Sequence, residues 1–337
     1  MRQVWIPRTG GPEVLEVRAA PDPEPREGQV RIRVRAAGVN FADILARIGV
    51  YPDAPPLPAV VGYEVAGVAD RVGPGVDLTE GSRVVAVTRF GGYADTVIVP
   101  AAQVHELSED LSFEKAAAIP VNYLTAWLML VRLGNVQTGD TVLVHAAAGG
   151  VGQAALQICR WRGARVIGTA SASKHERLRQ AGVDYCIDYR TLNFEREVAR
   201  ITNGQGVDVV LDAVGSRSFA MSYACLAPMG RLFLFGVSGL APGRRRSIVA
   251  VLGGILRMPR FHPIALMQQN RGVIGVNVGR LWGRATVLRE MLWEILGLVQ
   301  RGVFDPVVDR AFPLDAAAEA HAYIQERRNF GKVLLIP

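Results

Sequence analysis

Apolar positions over the first 120 residues come as short β-type runs, at 30–36, 65–72, 83–88 and 94–99. Turn signals part them, notably Glu27-Gly28, Gly73-Pro74-Gly75 and Gly91-Gly92, which is the pattern of an all-β lobe. Between the first two runs, 40–48 is apolar at helical spacing. The prolines that follow, Pro52, Pro55, Pro56 and Pro58, forbid regular structure, and a loop crossing over a cleft is predicted there.

From residue 124 the period changes. Strand runs at 141–146, 165–169, 185–188, 208–213, 231–236 and 273–278 alternate with helical runs at 151–162, 174–181 and 195–201. Such alternation builds right-handed βαβ units, and hence a parallel sheet covered on both faces. The last sixty residues return to a mixed pattern, with a long helix at 287–301 and a final strand at 332–336 that rejoins the first lobe. The expected fold is α/β in two domains: a discontinuous β-rich one of residues 1–122 and 279–337, and a doubly wound parallel-sheet one of residues 123–278.

A chain of 337 residues that is 50% hydrophobic and 20% charged has apolar mass enough for two cores, which excludes wholesale disorder. The formal charge of +7 comes from scattered arginines, since only Lys115, Lys174 and Lys332 are lysines. Without a basic stripe, nucleic-acid binding is not expected. Cys159, Cys186 and Cys225 are odd in number and widely spaced, so neither a disulfide framework nor a metal clip is expected, and the setting is reducing and cytoplasmic. The N-terminus shows no apolar leader pattern. The most apolar stretch, 247–256, is about half the roughly 20 residues that a membrane span needs. Preceded by Arg244, Arg245 and Arg246, it reads as a helical arm packing on the cleft or on a partner subunit, or else as a lipid-facing amphipathic element.

The strand at 141–146 feeds Ala147-Ala148-Gly149-Gly150-Val151-Gly152 and then a helix. Read in threes, Ala146, Gly149 and Gly152 form a dinucleotide fingerprint with alanine in its first slot. Small residues belong there because the backbone must turn sharply and approach a pyrophosphate, while the helix start offers free N–H groups. About 20 residues further on, an acid would bind the ribose of NAD, but no Asp or Glu occurs from Gln153 to His175. Thr169, Ser171, Ser173 and Lys174 stand there instead, with Tyr189 after the third strand. That set suits a dianionic 2′-phosphate, and NADPH is the expected cofactor.

At this level of detail the chain resembles the medium-chain dehydrogenase/reductase superfamily, within its zinc-free quinone oxidoreductase group, and within that group the synaptic-vesicle amine-transport-protein homologues. The resemblance rests on 36–43 (AAGVNFAD), 121–126 (VNYLTA), 144–152 (VHAAAGGVG), 168–176 (GTASASKHE), 187–189 (IDY) and 329–336 (NFGKVLLI), which span the chain. It implies a GroES-like catalytic domain joined to a Rossmann domain, with the cofactor between them, and a homodimer. It also implies hydride transfer from NADPH to a quinone or other activated alkene, and cofactor contacts from Asn122, Thr125, Gly236, Asn329 and Lys332 beside the glycine loop.

Zinc-dependent members of that superfamily place Cys, His and Cys ligands where this chain has Asn40, Tyr63 of Gly62-Tyr63-Glu64, and a position near Asn122. No His or Cys lies between Met1 and Pro100, so the ligand set Zn²⁺ wants is missing. Without a Lewis acid the favoured acceptor is already electron-poor, and the protein contributes positioning and hydrogen bonds at the oxygen that gains charge. Asn40, Tyr51 and Tyr63 are the candidates to hold that oxygen. His145 reads as a satisfied core residue and Asp43 as a capping or structural one. The alternatives are a lipid-binding adaptor that retains the nucleotide site, and a reductase of enoyl thioesters.

Overall fold

The computed structural model describes residues 1–241 and 248–337, so the basic tip of Arg244, Arg245 and Arg246 lies outside the described residues. The described chain divides into two compact units, one of Met1–Leu124 with Val278–Pro337, the other of residues 125–241 and 248–277.

The first unit is built on a long bent strand, Gln29–Val39. Its neighbours on one side are Lys332–Ile336 and then Val308–Pro313; on the other are Glu64–Val72, Arg83–Val87 and Val104–Glu106, while Thr96–Pro100 also pairs with it. Val30, Ile32 and Val34 alternate inward, against Val65, Val84, Val97 and Val333. Period-2 alternation of this kind is what fixes the face that a strand buries. The strand runs three residues beyond the β-type pattern at 30–36, because Ala37 and Val39 pair with Leu335 and Val333. The chain's last strand is thereby stitched against one of its earliest. A smaller sheet of Glu16–Ala19, Arg2–Ile6 and Ala59–Val60 lies alongside in the same unit. The helical spacing at 40–48 becomes the helix Phe41–Arg47, opened by Asn40 in extended conformation. The proline-rich stretch 52–58 holds no helix or strand.

The second unit carries six parallel strands. Their order is Tyr185–Asp188, Arg165–Ala170, Thr141–Val144, Val207–Asp212, Leu226–Leu234 and Gly272–Gly275. Counted along the chain this is 3-2-1-4-5-6, the doubly wound order whose reversal point creates a crevice at the strands' carboxyl ends. All four residues of Thr141–Val144 are buried, as a strand covered on both faces requires. The strand Leu226–Leu234 begins five residues before the expected 231, since Pro228 and Gly230 mask its start. The apolar arm forms the helices Ile248–Leu256 and Pro263–Gln269. Among the described residues no helix is long and apolar enough to cross a membrane.

Candidate active site

In the second unit, the first strand ends at Val144 and leads to Ala146, whose φ of 51° is left-handed, and the chain turns through Gly149 into the helix Gly150–Arg162. A Cβ on Gly152 would sit 2.5 Å from the Ala147 carbonyl oxygen and 2.6 Å from that of Ala146. Only glycine lets this helix start so close to the loop. Gln153 Nε2 donates to the Ala147 oxygen at 3.0 Å and holds the turn from behind. Gly149, Gly150 and Val151 keep part of their surface open, while Ala148 is buried. No side chain caps this helix, so its first N–H groups are left for an anion.

The pairing of Ala170 with Asp188 carries Ser171 and Tyr189 to neighbouring carboxyl ends of the sheet. Ser171 Oγ lies 3.3 Å from Ser173 Oγ. Ser173 is exposed, and Lys174 and Tyr189 are half-buried. The second strand therefore ends in hydroxyls and an ammonium, with no carboxylate. Asp188 ends the third strand and accepts from the Arg190 N–H at 3.0 Å. Gly236 follows the fifth strand, where an added Cβ would come within 3.0 Å of the Ala213 oxygen.

Thr169 is buried, and its Oγ1 lies 3.1 Å from His145 Nδ1, whose Nε2 is 3.0 Å from Ser222 Oγ. Ser222 and Ser218 both donate to Asp212 Oδ2, at 2.7 and 2.6 Å. Thr169 thus closes a polar network with His145, Ser222 and Asp212. His145 is the satisfied core residue expected, and burial holds it below the usual histidine range.

In the first unit, Asn40 opens the helix Phe41–Arg47 and is 8% exposed. Its Nδ2 donates to Glu64 Oε1 at 2.9 Å, and its Oδ1 accepts from Lys332 Nζ at 2.7 Å. Lys332 also pairs with Glu64, and Glu64 Oε2 accepts from the Val121 N–H at 2.7 Å. Asn40 and Lys332 were expected at the acceptor and the cofactor. Their polar atoms meet in a buried triad, because an ion pair removed from water must satisfy its remaining valences internally. The triad joins the first helix, the last strand and the start of the helix Pro120–Trp127. That helix carries Asn122, which is buried and donates to the Ala118 oxygen at 3.0 Å, and Thr125, buried as well. Asn329 Nδ2 donates to the Gly331 oxygen at 3.0 Å.

Beside the triad, Asp43 accepts from the N–H groups of Asn40 and Gly62 and from the Tyr93 hydroxyl, at 2.8, 3.1 and 3.0 Å. It is the structural cap expected, and complete burial lifts its carboxyl to about 7. Tyr93 continues to His321 Nε2 at 3.0 Å, and His321 Nδ1 to Arg47 at 3.1 Å.

Asp43 thereby anchors the residue before Tyr63. Tyr63 and Tyr51 meet edge-on at 6.4 Å between ring centroids, and Phe90 tilts against Tyr63 at 5.6 Å. With Trp282 they wall a cavity of about 230 Å³. The buried Tyr63 hydroxyl completes no hydrogen bond of full geometry, and the Tyr51 side chain is the polar group that interacts with it. Burial, and next the Asp43 carboxylate, push its pKa up, so it stays a proton-bearing donor. Asp53, Arg89 and Arg280 complete the rim, with Arg280 paired to Asp53. Spacing gave no sign of Arg89 and Phe90, nor of Arg280 and Trp282, which reach this cavity from far along the chain. Glu64 lacked a visible partner because Lys332 lies in the last strand.

Zinc does not fit this lobe. The slots hold two amides and a phenol, and the neighbouring carboxylate is already matched by an ammonium, a set that a Zn²⁺ ion does not choose. Among the described residues no group of three His, Cys, Asp or Glu converges.

Comparison with known proteins agrees with both units. Residues 26–109 match the alcohol dehydrogenase GroES-like domain, and residues 181–335 match a zinc-binding dehydrogenase model. The rat synaptic vesicle membrane protein VAT-1 homolog is 42% identical over 96% of this chain and 80% of its own length. A quinone oxidoreductase of Pseudomonas aeruginosa is 36% identical over 100% of this chain and 99% of its own. The crystal structure of Escherichia coli quinone oxidoreductase complexed with NADPH superposes with a TM-score of 0.89 at 31% identity, covering 100% of both chains. With a GroES-like lobe, a Rossmann sheet and relatives running its full length, the chain belongs to the medium-chain dehydrogenase/reductase superfamily, in the group that holds the quinone oxidoreductases and the VAT-1 homologues.

Proposed function

We propose that the chain is an NADPH-dependent oxidoreductase that reduces a quinone or an α,β-unsaturated carbonyl without a metal ion. The observation that carries this reading is the aromatic cavity lined by Tyr51, Tyr63, Phe90 and Trp282, with the buried Tyr63 phenol on its wall. NADPH, when bound, supplies a hydride; with a proton from water, a quinone leaves as hydroquinone. The chain's own part is to hold the pyrophosphate at the start of the helix Gly150–Arg162 and the 2′-phosphate at Ser171, Ser173 and Lys174. Tyr51, Tyr63, Phe90 and Trp282 stack the acceptor, and the Tyr63 hydroxyl donates to the oxygen that gains charge. Support for the phosphate assignment comes from the missing carboxylate at the second strand's end and from the NADPH complex of the E. coli relative.

The test is NADPH consumption with panels of 1,4-quinones and enones, alongside Tyr63→Phe. Turnover that falls about 10- to 100-fold in the variant agrees with a lost donor at a developing oxyanion. Absence of turnover with every acceptor overturns the proposal. A second reading, a lipid-binding adaptor, draws on the exposed Leu252, Ile255, Leu256, Ile264 and Met267 of the apolar arm. Flotation with liposomes, with and without residues 244–256, checks it.

A further inference from the structure

The rim of the aromatic cavity is not neutral. Two guanidiniums, Arg89 and Arg280, face it with one carboxylate, Asp53. Arg280 pairs with Asp53, its side chain 65% exposed against 17% for Asp53. Among the described residues Arg89 pairs with no carboxylate; its guanidinium lies 6.0 Å from the Phe90 ring centroid, at the mouth. One positive charge is therefore left over beside a stack of aromatic rings. A volume of about 230 Å³ falls below the roughly 300 Å³ at which pockets for drug-sized ligands begin, and it suits a planar molecule of one or two rings.

We infer that the acceptor carries an acidic substituent: a one- or two-ring quinone or enone bearing a carboxylate, sulfonate or ionised hydroxyl, which pairs with Arg89 and competes with Asp53 for Arg280. The inference rests on the reductase reading above and refines its substrate class. Three parts of the wall then have separate tasks. The rings select a flat acceptor, the Tyr63 hydroxyl takes the carbonyl oxygen, and the arginine pair orients the molecule by its charged edge. A guanidinium at a cavity mouth also draws an anion in, an attraction that salt screens over about 10 Å at 0.1 M.

The experiment uses the full chain and saturating NADPH, and compares 1,4-naphthoquinone with its 2-sulfonate. The quantity read is the ratio of kcat/KM for the sulfonate over the neutral quinone, since changes in cofactor binding cancel in it. Raising salt from 20 to 300 mM is expected to lower the ratio about three- to tenfold. Arg89→Gln is expected to lower it by a similar factor at low salt, while Arg89→Lys keeps it within about twofold of the unaltered chain. Arg89 is exposed, so these variants leave the core intact. A ratio that ignores both salt and Arg89→Gln overturns the inference, as does turnover of the neutral quinone alone. Failure of both quinones and of the enone panel overturns the reductase reading itself.

Discussion

Replacing Lys332 with methionine separates two roles for that lysine. Its side chain is 2% exposed and that of its partner Glu64 is 0% exposed, so the substitution leaves a carboxylate buried beside Asn40 with no counter-charge. Removing one member of a buried pair costs about 3–5 kcal/mol. For a unit of this size that is a fall in Tm of roughly 6–20 °C, at about 2–4 °C per kcal/mol. The double variant Lys332→Met with Glu64→Gln removes both charges and leaves an amide oxygen for the Val121 N–H. It is expected to recover most of the loss, a coupling of at least about 2 kcal/mol between the sites. Thermal unfolding followed by circular dichroism, with all four corners of the cycle, measures this. A Lys332→Met chain that melts within about 2 °C of the unaltered one, yet binds NADPH tenfold more weakly, would refute the buried-pair reasoning and return Lys332 to the cofactor.

Lys174→Ala is expected to weaken NADPH by about 1–3 kcal/mol and NADH hardly at all, as a lost charged hydrogen bond requires; equal losses in fluorescence titrations count against a 2′-phosphate at this place. Gly152→Ala puts a methyl group 2.5 Å from a carbonyl oxygen, so NADPH affinity should fall at least about tenfold while Glu- or Asp-dependent contacts elsewhere are untouched; retained affinity contradicts the close approach. Asp43, lifted by burial to about 7, holds its proton more tightly folded than unfolded. Its stabilising share is complete below about pH 4 and is lost as pH rises through 7. His321 and His105, both lowered by burial, act oppositely below pH 6.5, so the comparison is with Asp43→Asn. Urea midpoints between pH 5 and 8 should fall with pH more steeply in the unaltered chain than in that variant; parallel slopes exclude Asp43 as the source.

Strong local periodicity made much of the architecture legible before any coordinates. The final strand at 332–336 and the glycine turn into the helix Gly150–Arg162 were both readable, because each is written in consecutive residues. Legibility ended where distant segments meet. Lys332 finds Glu64 only through the pairing of the last strand with Gln29–Val39, a register that no short pattern encodes. Arg280 finds Asp53 through a loop closure spanning most of the chain. Thr169 was assigned to the cofactor because hydroxyls cluster around it; its contact with His145, just past the end of the neighbouring strand, is written in no local pattern. Residues assigned by type alone were therefore the ones whose partners only the fold supplies.

The late strand Lys332–Ile336 also sets a schedule for biosynthesis. Until the segment Lys332–Ile336 has left the ribosome, Gln29–Val39 lacks one flank and Glu64 has no cation, so the nascent first lobe is an open edge waiting for its closing piece. The nucleotide-binding half, whose described residues all lie between Thr125 and Asn277, is free to collapse first and act as a tether that brings the tail home. Termination before Lys332 would thus strand the oldest part of the molecule unfinished, and such a product is a natural target for proteolytic clearance.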